Sequence, residues 1–223
     1  MRFLRCVHAE FLLVSPRLTR TRLGIALLAL GGTLVWLSAR GFDALTVTLQ
    51  AGALGAILGA AAIVGNEGDR AALTTALTHP TTPLAVATGR WLTIVLPASV
   101  LTLVCTAVIG WQSGVALAGV IAAAAVGSCA MAVVVPLGSS AALALFFFMA
   151  VAGTVAPERL VDLARPGALR VTAASALELG PALWHYRDIA TGDPRAIVHA
   201  FAWTGLGILL AGGCIARRRV RFH

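Results

Sequence analysis

Ser139, Ser140 and His199 are the residues of this chain that could form a nucleophile and its base. A serine hydroxyl attacks only when an imidazole within hydrogen-bond reach takes its proton. Here the serines follow Gly138 at a boundary between two apolar runs, and no glycine follows them. His199 sits near the outer end of another run. A lone histidine near a membrane surface is more often packed or interfacial than a base, so the pair makes a poor hydrolase site.

Metal and cofactor chemistry fares no better. Cys6, Cys105, Cys129 and Cys214 are scattered with no CxxC pair, so neither a zinc site nor a disulfide framework is indicated, and they read as small packing residues. Membrane phosphotransferases need clustered aspartates, whereas Asp43, Asp69, Asp162, Asp188 and Asp193 are dispersed on opposite faces. All 17 basic residues are arginine. Without lysine there is no P-loop to hold a nucleotide and no Schiff base. The chain is expected to bind no cofactor or metal and to be no enzyme by itself.

The elements that carry these residues are membrane helices. Of 223 residues, 59% are hydrophobic and 12% charged, about half the usual charged fraction of a globular chain. Residues 1–22 read as an amphipathic helix lying in the membrane interface. Phe3, Leu4, Val7, Phe11 and Val14 gather on one side, Arg2, Arg5 and Ala9 lie opposite, and Pro16 breaks the segment. A cleaved signal peptide is the alternative, but Glu10 and Arg17 interrupt its apolar run. Residues 23–223 then form one transmembrane domain. Six spans of roughly 20 residues fill it, near Leu23–Ser38, Ala44–Val64, Trp91–Ile109, Gly114–Val135, Ser139–Ala156 and Ala196–Ala216. The expected fold is thus an all-α integral membrane protein.

Arginine placement sets its orientation. With both termini in the cytosol, eleven arginines fall on that side, Arg70 and Arg90 among them; Arg40 and five in segment 157–195, balanced there by five acids, fall on the other. That is the inside-positive bias of a multi-pass protein in the cell's inner (plasma) membrane. The net charge of +8 has the same origin, and no aromatic–basic interleaving points to nucleic acid. The spans lack acids at their middles, which argues against an ion-coupled carrier. In the second span Gly52, Gly55 and Gly59 offer a small-residue surface for close helix approach, within the bundle or to a second subunit. Pro136-Leu137-Gly138 makes a tight turn between spans four and five, and segment 157–195 reads as short outer helices that are re-entrant or interfacial. Its Trp184 and Tyr186 are interface-seeking aromatics.

The longest polar interruption before segment 157–195 is GNEGDRAALTTALTHPTTPLAVATGRW, Gly65 to Trp91. Leu73 and Leu77 are four apart with Ala76 beside them, giving one apolar stripe. Asp69 complements the helix dipole, and Pro80 ends the segment. Thr82 caps a second helix with Pro83 in its first position, and that helix runs through Arg90 into the third span. About three turns of helix are unstable alone. The first helix needs a partner surface, either its own bundle or another protein.

This stretch resembles the type-2 family of ABC exporter permeases. That family carries an acidic residue, spaced leucines and a proline after its second span, with Gly–Lys or Gly–Arg nine residues further on. Asp69, Leu73, Leu77, Pro80, Gly89 and Arg90 fall in that register, while Ala71-Ala72 and Ala76 depart from it. The resemblance implies a coupling helix (Asp69, Arg70, Leu73, Ala76, Leu77, Pro80) seated on a separate ABC ATPase subunit, which would bind the ATP and magnesium. It also implies a second permease copy or a paralogue as partner, and export of an amphipathic or lipid-like substrate. A non-transporting assembly or signalling subunit of an ABC-type complex is the alternative.

Overall fold

A helix apolar on every side has no surface to give to water and ends up surrounded. Residues 44–64 are such a segment, with seven alanines and three glycines among their 21 residues. In the computed structural model, which describes residues 2–20, 22–64, 82–152 and 180–220, this helix is the axis of the molecule. The expected coupling residues Asp69, Arg70, Leu73, Ala76, Leu77 and Pro80 lie outside the described residues, as does most of segment 157–195.

The described chain forms α1 (Arg2–Arg20), α2 (Arg22–Ala39), α3 (Ala44–Val64), α4 (Pro83–Ile109), α5 (Ser113–Leu137) and α6 (Ser139–Ala152). After the undescribed segment come the single turn α7 (Leu183–Tyr186), a 3-10 turn (Arg187–Thr191) and α8 (Pro194–Val220). No strand occurs among the described residues. Four helices are long and apolar enough to cross a membrane: α3, α4, α5 and the Pro194–Arg217 part of α8. Two shorter apolar stretches, Ile25–Ala39 and Ser139–Ala150, belong to α2 and α6. The chain is therefore a multi-pass, all-helical membrane protein.

Every residue from Ala51 to Ile63 is buried. α4 and α5 pack on α3 most extensively, α2 and α6 cover its remaining sides, and α8 lies against α5. Without a hydrophobic drive between helices in lipid, close packing of small residues supplies the adhesion. A Cβ built on Gly52 would overlap the Gly119 carbonyl oxygen of α5; one on Gly55 would lie 3.4 Å from Ala98 Cβ, and one on Gly59 3.4 Å from the Ile94 carbonyl oxygen. All three glycines thus face helices of this same chain. Hydrogen bonds add register. Gln50 Nε2 donates to the Ala150 carbonyl on α6 at 3.3 Å, and Ser128 Oγ donates to the Trp203 carbonyl on α8 at 3.2 Å.

Local signals read from the sequence reappear at the α4 start and the α5–α6 turn. Thr82 Oγ1 accepts the Ala85 amide at 3.3 Å, and Pro83 occupies the first turn of α4. Gly138 turns the chain at φ 85°, a backbone value suited to glycine, while its amide donates to the Val134 carbonyl. Other expectations need correction. Pro16 does not break the first helix, which continues to Arg20. Nor does Tyr186 sit at an interface, because it is wholly buried in the core.

The 3-10 turn is tied to the start of α3. Asp43 caps α3 through the Thr46 amide and hydroxyl, and Arg187 reaches both Asp43 Oδ2 and Thr46 Oγ1 at 3.3 Å. The Thr46 hydroxyl, more than any other group, holds the Asp43 carboxyl below its ordinary value of 3.8; slight burial opposes this, and the Thr46 amide and Arg187 reinforce it. A lowered folded pKa means stability that is complete above the unfolded pKa and lost as pH falls through the folded one. Melting followed from pH 6 to pH 3 should therefore show a loss beginning near 3.8. The size should stay below about 1 kcal/mol, since the pair is solvent-exposed. Asp43→Asn should remove that step; a step of unchanged size in this variant would exclude Asp43 as its source.

Candidate functional site

Arg90 is the largest fully buried side chain of the described bundle, at 1% exposure. Its partner comes from the first helix. Glu10, the only acid before Asp43, is 7% exposed, and its Oε1 lies 2.8 Å from Arg90 Nε. Val7, Glu10 and Val14 form the buried stripe of α1, while Phe3, Leu4, Leu12 and Leu13 are exposed. The inward face is thus narrower than the wheel pattern suggested, and it includes a carboxylate.

The approach of the two helices depends on the residue beside Arg90. A Cβ on Gly89 would lie 2.8 Å from Glu10 Cβ and 2.9 Å from the Val7 carbonyl oxygen. Only a glycine lets the α1 backbone rest directly on α4 here. The next residue, Trp91, donates from Nε1 to the Ala124 carbonyl of α5 at 3.0 Å, and Thr93 Oγ1 bonds back to the Gly89 carbonyl at 3.0 Å. Gly89-Arg90-Trp91 therefore joins α1, α4 and α5 within one helical turn. The join lies about 10 Å along α4 from Thr82, at 1.5 Å per residue.

A buried ion pair is costly to assemble because both charges leave water. At a membrane helix end the cost is tolerated when the charges face the bundle interior and pair with one another. The pairing specifies one docking position for α1, which its apolar residues alone would leave free to slide. The sequence reading treated Glu10 as an interruption and Arg90 as a topological anchor, and missed their pairing. The available signals were a single acid in an otherwise basic, apolar leader and a Gly-Arg pair inside a continuous helix.

The serine–histidine reading fails on distance. His199 stands one turn before Trp203, whose carbonyl accepts from Ser128 of α5, whereas Ser139 follows the last turn of that helix. From Ser128 to Ser139 the chain rises about 16 Å, far beyond hydrogen-bond reach. His199 is instead packed among aromatic rings. Among the described residues no group of three or more His, Cys, Asp or Glu could hold a metal.

No family model, curated protein or solved structure matches the chain. Of the residues that carry the resemblance to type-2 ABC permeases, Gly89 and Arg90 are described, and both stand in the α1–α4 junction.

Proposed function

We propose that this chain is the transmembrane permease subunit of an ATP-driven exporter, moving an amphipathic or lipid-like molecule across the inner membrane. In this reading α2 and α6 complete six spans, both termini are cytosolic, and residues 65–81 face an ABC ATPase that carries the ATP and magnesium. A second permease copy or a paralogue completes the substrate path.

The observation that supports the reading is the continuity between that polar stretch and the bundle. Thr82 caps α4 directly after it, and Gly89 and Arg90 clamp α1 onto the same helix. A docked ATPase pulling on residues 65–81 would move α4 and α1 as one body instead of bending the helix end. Two packings of the bundle, biased by nucleotide through that body, are what alternating access requires.

The test is association followed by transport. The tagged chain, purified in mild detergent from its native host, should bring a P-loop ATPase with it. Leu73→Asp and Leu77→Asp should each abolish that association, since a charge would be buried in the docking cleft, while membrane insertion stays intact. Unchanged association in both variants would remove the coupling assignment. Association without ATP-dependent movement of substrate in vesicles would favour an assembly subunit instead.

A further inference from the structure

Where α7 meets the first turns of α8, aromatic side chains gather around His199. Its ring lies 5.4 Å from His185, 5.8 Å from Tyr186 and 6.3 Å from Trp203, and Trp184 stands 5.3 Å from His185. One contact decides how the histidine carries its proton. Trp203 Nε1, an indole nitrogen that can only donate, donates to His199 Nε2 at 3.0 Å. Nε2 is therefore the lone-pair nitrogen, and the proton of the neutral ring sits on Nδ1.

That Nδ1 is buried and has no hydrogen-bond partner among the described residues. The same holds for the Tyr186 hydroxyl and for Trp184 Nε1. Burial, and then the neighbouring Cys129, push the Tyr186 phenol well above its usual range, so its hydroxyl keeps its proton. Three protonated, buried donors thus belong to one cluster. Each is costly to leave unsatisfied, and native proteins leave very few such groups. Among the described residues, Asp188 approaches the cluster on its His185 side, at 3.8 Å. A surplus of donors with no acceptor of their own is the complement of an oxygen anion.

We propose that this cluster binds a carboxylate or phosphate group borne on an amphipathic molecule. The donors are His199 Nδ1, Trp184 Nε1 and the Tyr186 hydroxyl, and because His199 is carried on the apolar helix α8, the group arrives on a molecule that enters the bilayer. Hydrogen bonds to a charged acceptor are roughly twice as strong as neutral ones, which makes an anion a better occupant than an alcohol or amide. The site does not depend on the permease reading, because binding is a property of this chain without nucleotide or partner.

Tryptophan fluorescence of the purified full chain in phosphatidylcholine nanodiscs, titrated with dodecanoate, dodecyl phosphate and dodecanol, tests it. At least one anion should bind saturably and about tenfold or more tightly than the alcohol, and the stronger of the two names the headgroup. Tyr186→Phe keeps the ring and removes one donor; Trp184→Phe removes another. Each should weaken anion binding about tenfold and leave dodecanol unchanged; should one variant fail to fold, the other carries the reading. Equal binding of all three probes, or anion binding unaltered in the folded variants, would overturn the proposal. So would no saturable binding of either anion, in which case the donors serve water alone.

Discussion

Arg90→Ala is expected to destabilise the protein by about 3–5 kcal/mol, the cost of leaving a buried charge without its partner. The Glu10 carboxylate is 7% exposed, and Arg90 is the cation the structure gives it. Once Arg90 is gone, Glu10 must either take up a proton or leave the interface, and either route loosens α1 from α4. The double variant Glu10→Leu/Arg90→Leu separates charge from packing. With both ionic groups replaced by apolar ones of similar reach, most of the stability should return, because burying the pair is itself costly. Denaturant unfolding in detergent gives the magnitudes, and protease cleavage between α1 and the bundle reports the undocking directly. A single-variant loss below about 1 kcal/mol, the range of an exposed pair, would show that Glu10 and Arg90 do not hold the helix.

Gly52→Val is expected to be damaging by a different route. The added carbon atoms would occupy the space of the Gly119 backbone on α5, and backbone cannot rotate away as a side-chain tip can. Helix propensity alone predicts the opposite, since valine outranks glycine in a helix interior. Overpacking of a tight core costs about 1–3 kcal/mol and occasionally more, and the effect here should reach the upper part of that range. Gly205 of α8, where a Cβ meets nothing within 4 Å, supplies the control: Gly205→Ala should be neutral or mildly stabilising. Equal responses at the two positions, read as melting midpoints in the same detergent, would refute the close α3–α5 approach.

The helices were legible in the sequence because apolar length is a strong signal. Ala44–Val64 was read with the same ends as the observed α3, and Thr82-Pro83 marked the start of α4. What could not be read were relations between distant positions. Nothing local to Glu10 says that it meets a residue 80 positions later. Tyr186 has the composition of an interface anchor, and only the packing of α7 against α5 and α8 buries it. The GxxxG spacing promised a close helix contact without naming the partner, and the partners prove to be Ala98 and Ile94 of α4, with Gly119 of α5 opposite Gly52. The candidate junction was half visible: Gly89-Arg90 was singled out, and the helix it holds was assigned to lipid.

The burial of α3 also bears on how the protein is made. Alanine and glycine favour the bilayer far less than leucine, isoleucine, phenylalanine or valine do, and α3 carries ten of the small pair. While the chain is being threaded into the membrane, α3 emerges before α4 and α5, whose backbones its glycines are shaped to meet. Until those helices arrive, its smooth surface faces lipid, which gains little from it. The later helices therefore act as the retaining partners of an earlier one.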